Sequence, residues 1–295
     1  MTHRRPKPVL LVVFASLAFA TSAPLARAAG ALPPVAVAAG RTAIAALLLF
    51  LSQPRASIAA YQRQSLRAAL GLLGAGGLLA AHFALFLSGL ASTSFAATVS
   101  LISLEPLAVV LVAWAAFGLQ PRRGEQLGIL LATVGAFVVS RGAGVGEHSI
   151  KGDLMVVAAV ALYGGYVAVA RGLRETMPAV PYAAAVYAVS AVLLIPFAGP
   201  ALRGIAAPPV STWTALLLLA LIPTLVGHTL VQVAARTVSP SVVAMTSPGE
   251  TVGSLLIGAI VLGRPPAPVE GMGAAIILAG AVLAIWATPS QAVPH

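Results

Sequence analysis

Five ionisable side chains stand inside long apolar runs of this chain: Arg41, His82, Glu105, His228 and Glu250. A charge at the centre of a bilayer costs about 2.5–3.5 kcal/mol on insertion scales, so each such group is a site candidate. With two glutamates and one arginine, at most one carboxyl is neutralised by Arg41. The other must be protonated, solvated or hydrogen-bonded, which is the chemistry of proton exchange or of cation recognition. Glu250 is the foremost candidate. It follows Pro248-Gly249, a pair expected to interrupt a helix and free backbone groups toward a cavity. At helical spacing it shares a face with Thr246, Ser247, Gly253 and Ser254. The plainer reading of Glu250 is a structural ion pair with Arg41. Glu105, followed by Pro106, admits the same two readings. His228 has Thr224 four residues before it and Gln232 four after, a polar stripe that exceeds what helix packing needs. His82 shares its face with Phe86 and Gly89. Tyr163 and Tyr166 flank Gly164 and Gly165, where two rings over small residues can floor a pocket or simply pack.

Other chemistries are missing. There is no Cys, hence no disulfide, thiolate nucleophile or Cys-based metal site, and no Asn. No His-Glu spacing on one helix suits a metal, and no cofactor is implied. Gly71, Gly74, Gly76 and Gly77 lack the preceding strand and the lysine of a phosphate loop, so they read as packing positions. Gly142, Gly144 and Gly146 read as a flexible external loop. The reading is therefore not of an enzyme.

The elements that position these groups follow from composition. The chain has 295 residues, 59% hydrophobic and 8% charged, with a mean hydropathy of +0.99. Soluble domains carry about 25% charged residues. A helix needs about 20 apolar residues to cross the hydrocarbon layer, and ten runs qualify, near 8–28, 33–52, 68–90, 94–118, 125–141, 153–170, 180–199, 212–235, 241–263 and 268–287. They lack the period-two alternation of a membrane barrel. The first run, between Arg4-Arg5-Pro6-Lys7 and Ala26-Arg27-Ala28, also has the form of a cleaved signal peptide. The repeat below requires it as a permanent helix. Trp114, Trp213 and Trp286 fall near run ends, where an aromatic belt accounts for them.

The net charge of +10 is mostly a topology signal and not a nucleic-acid patch. Eleven Lys and Arg fall on the N-terminal side of the bilayer and five on the other. Both termini are therefore expected to be cytoplasmic. The Ala-rich, Lys-poor composition suggests a bacterial source and the inner membrane as location.

An internal repeat fixes the class. At an offset of 145 residues Glu105 meets Glu250, Gly118 meets Gly263, Pro121 meets Pro266, Glu125 meets Glu270, Gly128 meets Gly273 and Gly135 meets Gly280. His82 and His228 align with a one-residue slip. The expectation is an all-α membrane protein of ten transmembrane helices, built as two five-helix repeats over 1–148 and 149–295. Five is odd, so the second copy enters from the opposite face, giving an inverted-topology repeat of the kind that secondary transporters use around a midplane site. That topology places His82 in the outer half of the membrane and His228 in the inner half, at the two ends of a cavity. Gly128, Ala132 and Gly135, and likewise Gly273, Gly280 and Ala284, form small-residue faces for close approach within the bundle or in a homodimer.

The stretches Leu104-Glu105-Pro106-Leu107 to Gly135 and Pro248-Gly249-Glu250 to Gly280 resemble the drug/metabolite transporter superfamily, in particular its EamA-type members. Arg41 resembles an arginine common in the second helix of that family. Leu119 and Arg264 depart from the Glu that usually follows the glycine in each repeat. The resemblance implies cavity walls from the first, third, fourth, sixth, eighth and ninth spans. It implies a small-molecule carrier, in the first place an amino-acid exporter, with multidrug or cationic-compound efflux as the alternative.

Overall fold

The computed structural model describes residues 8–142, 149–173, 177–235, 240–262 and 267–287. Among these every regular element is a helix. In chain order they are α1 (Pro8–Phe19), α2 (Ser22–Ala28), α3 (Pro34–Ser52), α4 (Pro54–Gln62), α5 (Leu66–Ser92), α6 (Phe95–Ile102), α7 (Glu105–Phe117), α8 (Arg123–Gly142), α9 (Ile150–Gly172), α10 (Ala179–Ala201), α11 (Val210–Leu219), a π-helical stretch (Ala220–His228), α12 (Thr229–Ala234), α13 (Pro240–Ala244), α14 (Thr246–Leu262) and α15 (Pro268–Trp286). Among the described residues seven spans are long and apolar enough to cross a membrane: Leu10–Ala28, Pro34–Ser52, Leu66–Ser92, Phe95–Phe117, Ile150–Ala170, Ala179–Ala201 and Val210–Ala234. The external glycines Gly144 and Gly146 and the repeat positions Gly263 and Pro266 lie outside the described residues.

Local sequence explains where the helices begin and end. Ser65 and Ser94 accept the backbone N–H of Ala68 and Ala97 and so cap α5 and α6. Gly118 closes α7 in the left-handed conformation, φ 66°, which a side chain would strain. Glu125 accepts the Arg122 N–H at 2.9 Å and Glu270 accepts the Ala267 N–H at 2.7 Å. These two repeat mates thus do one job, capping α8 and α15 with a carboxylate.

Besides the first, which breaks at Ala20-Thr21 between α1 and α2, three spans are not straight α-helices. The fourth breaks at Ser103-Leu104, between α6 and α7. The span containing Glu250 breaks at Met245, and not at the expected Pro248-Gly249, which lie inside the first turn of α14. The physical reason is that a first-turn proline gives up an N–H that has no helical partner in any case. The third irregularity, the π stretch, surrounds Pro223. An α-helix would pair the Leu219 carbonyl with the N–H of residue 223, which proline lacks. The Thr224 hydroxyl donates to that carbonyl instead, at 2.8 Å, and the turn widens to keep the remaining groups bonded.

The small-residue faces of α8 and α15 pack on each other, so the close approach expected of them is made within the chain. A Cβ on Gly128 would lie 2.5 Å from the Gly280 carbonyl oxygen, and one on Gly135 2.7 Å from the Gly273 carbonyl oxygen. Ala284 fills the space over Gly128, Ile277 that over Gly135, Val139 that over Gly273 and Ala132 approaches Gly280. Contacts descend α15 as they ascend α8, so the two helices run antiparallel. α1 and α2 are equally part of the core, with Val12, Ala15, Phe19 and Ala23 buried. Trp114, Trp213 and Trp286 are all exposed on the outside.

Candidate functional site

A small cavity lies where the helix breaks converge. Phe19 and Ser22 reach it from α1–α2, His82, Phe83 and Phe86 from α5, Ile102 and Glu105 from either side of the α6–α7 break, Tyr163 from α9, His228 from the π stretch and Glu250 from α14. These elements fall in the six spans that the resemblance points to. The space left for a water-sized sphere is about 20 Å³. That admits one water and is far below the roughly 300–1,000 Å³ of an ordinary small-molecule site. In this conformation the cavity is therefore too small for a solute, and its lining side chains are buried.

His82 and His228 are not at opposite ends of the cavity. Their ring centroids are 6.4 Å apart, and both face one space. The expectation from depth fails for a geometric reason. His82 is three residues past the middle of α5, which is only about 4–5 Å at 1.5 Å per residue. Two mates displaced oppositely by so little still meet. His82 Nδ1–H donates to the Ala159 carbonyl at 2.9 Å, so its Nε2 is free to accept. His228 is wedged among Phe19 at 4.7 Å, Phe83 at 5.0 Å and Tyr166 at 6.1 Å, and its Nδ1 has no hydrogen-bond partner.

The acids occupy unequal settings. Ser247 donates to Glu105 Oε2 across the two helix breaks. Beside that contact Ser103 and Thr251 share a hydrogen bond, and Thr251 donates to the Val99 carbonyl at 2.7 Å. These hydroxyls tie α6–α7 to α14. Glu250, its repeat mate, borders the cavity with no hydrogen bond or ion pair from any described residue. The expected Glu250–Arg41 pair is not formed. Arg41 is fully buried. Its Nε donates to Thr224 Oγ1 at 2.7 Å, and its guanidinium carbon sits 4.0 Å from the Phe83 ring centroid. Cation–π contact with a cavity wall replaces the ion pair, while Nη1 and Nη2 have no partner.

The remaining expected residues stand one layer behind. Tyr166 packs on Tyr163 with ring centroids 5.9 Å apart but does not reach the cavity. Thr224 serves Arg41, and Ser247 serves Glu105. The Gln232 amide and the hydroxyls of Tyr163 and Tyr166 are buried without a well-formed hydrogen bond among the described residues, with Gln232 standing near the Tyr166 hydroxyl and Thr246 near that of Tyr163. Such a concentration of unsatisfied buried polar atoms in one neighbourhood is unusual in a native core. The walls that residue type alone missed are Phe19, Ser22, Phe83, Phe86 and Ile102. Among the described residues no group of three or more His, Asp or Glu is placed to hold a metal ion.

Apolar spans folded round a small buried cavity lined by acids, imidazoles and aromatic rings define a multi-pass membrane protein on the plan of a solute carrier. The chain belongs to the EamA-like transporter family, whose profile matches residues 6–141 and again 150–286, within the drug/metabolite transporter superfamily. The uncharacterized transporter YwfM of Bacillus subtilis (strain 168) is 26% identical over 214 residues, 72% of each chain. A solved crystal structure superposes with a TM-score of 0.78 at 20% identity, covering 95% of this chain and 97% of that one. That likeness shows a shared fold.

Proposed function

We propose that this chain is a secondary carrier of the bacterial cytoplasmic membrane that moves small metabolites, with amino-acid export its leading activity, by alternating access around a midplane cavity. The observation that carries the reading is the small buried cavity itself. Six spans deliver Glu105, Glu250, His82, His228 and Tyr163 to one 20 Å³ space, beside buried polar atoms that find no partner among the described residues. Groups so arranged want a polar occupant, and the space must open to admit one. Ser247, Thr224, Gln232 and Tyr166 would join the walls as it opens.

The architecture proposed with it is ten membrane helices in two inverted five-helix repeats, 1–148 and 149–295, with both termini cytoplasmic. The α8–α15 seam supports this. Shifting its contacts by 145 residues returns the same set: Gly128–Ala284 becomes Gly273–Val139, and Gly135–Ile277 becomes Gly280–Ala132. Equivalent helices that meet antiparallel are what an axis in the membrane plane produces. The two family matches, one in each half, and the matching caps at Glu125 and Glu270 point the same way.

Efflux of organic cations is the second reading, and one observation favours it. Glu250 is an unpaired carboxyl bordered by Phe19, Phe86 and Tyr163, a setting that suits a cation. Counterflow in liposomes separates the two. Purified protein preloaded with unlabelled compound is given labelled amino acids and, in parallel, labelled lipophilic cations, with and without a pH gradient. Saturable counterflow of amino acids is expected. Counterflow of lipophilic cations alone would replace the first reading with the second.

A further inference from the structure

Among the described residues Arg41 is the most buried charge and the least satisfied. Its Nε is fixed by Thr224 at 2.7 Å, and Thr224 is in turn fixed by its own hydrogen bond to the Leu219 carbonyl. The guanidinium fork is thereby held in one orientation. Nη1 and Nη2 are left without a partner in a site of no solvent exposure. A buried cation lacking its anion is strongly unfavourable, and two parallel N–H donors fit the two oxygens of a carboxylate. Glu250 acts on Arg41 electrostatically but does not bond to it. The fold thus keeps a cation and an anion in one cluster and leaves the pair open. Phe83 explains how. One face of its ring carries Arg41 at 4.0 Å, while the same residue forms part of the cavity wall.

We propose that Arg41 is the carboxylate anchor of this cavity. The substrate is taken as a zwitterion, its carboxylate on the two Nη groups of Arg41 and its ammonium against Glu250, with Phe83 as the movable partition between them. The inference rests on the carrier reading above and narrows it. A plain amine would leave the guanidinium unpaired. A dianion would meet Glu250 and Glu105. Only a ligand carrying both charges completes both partners.

Competition in the counterflow assay tests it. The labelled amino acid best moved by the wild type is competed with the unlabelled acid, its carboxamide, its decarboxylated amine and its N-acetyl derivative. The acid should compete at least about tenfold better than the carboxamide or amine, which lack a charge-assisted bond, and better than the N-acetyl derivative, which lacks the ammonium. Arg41→Met should abolish discrimination between acid and carboxamide, and Arg41→Lys, which keeps the charge without the fork, should restore part of it. Equal competition by acid and carboxamide in the wild type overturns the inference whether or not the variants fold. Counterflow of amines without amino acids overturns it together with amino-acid export and leaves a carrier of cations. No counterflow of any compound overturns both.

Discussion

Glu105 and Glu250 hold equivalent places in the repeat, yet only Glu105 is bonded, through Ser247. On the carrier reading proposed above, that asymmetry makes Glu250 the candidate for an exchangeable proton. Glu250→Gln is expected to keep the fold, because no hydrogen bond from a described residue depends on its charge, and to lose transport driven by a pH gradient while retaining some counterflow. Gradient dependence that persists in this variant would remove Glu250 from coupling. At this scale the sequence is informative wherever a residue type is costly in lipid. Glu105, Glu250, His82, His228 and Tyr163 all reach the cavity, because an ionisable or hydroxylated side chain in an apolar run has few other uses. Phe83 and Phe19 are invisible there, since a phenylalanine facing a cavity looks the same in sequence as one facing lipid. The charge of Arg41 is legible but its partners are not. Thr224 lies 183 residues away, and nothing along the chain predicts a bond across that distance.

Among the elements, the helix breaks and the α8–α15 seam are what place the site. The seam makes a graded prediction about stability. Alanine at Gly128 or Gly135 would drive a methyl group into the backbone of α15, and overpacking of this kind typically costs about 1–3 kcal/mol. At Gly74 an added methyl group would have nothing within 4 Å. There alanine should be neutral or gain up to about 1 kcal/mol from helix propensity. Thermal melting in detergent checks the contrast, and equal losses at the three positions would contradict the seam. The breaks are half legible. Prolines lie near them, but Pro248 marks a helix start rather than a break, and the π stretch follows from Pro223 and Thr224 acting together. Periodicity at 3.6 residues per turn has no means of showing a turn that closes five residues back.

For the molecule as a whole, orientation is the property most open to a direct check. The chain contains no Cys, so single cysteines can be introduced without preparation. Arg203→Cys should react with a membrane-impermeant maleimide in intact cells, and Gln62→Cys only after permeabilisation; the opposite pattern would invert the topology. The α8–α15 seam joins the halves without bordering the cavity, whereas α1, α5, α9 and α14 border the cavity and also join the halves. A change in the seam can therefore harden the join without touching the cavity wall, while a change in the wall also tests the join. Drift meets an uneven field in such a fold: a wall residue answers to two demands at once and a seam residue to one.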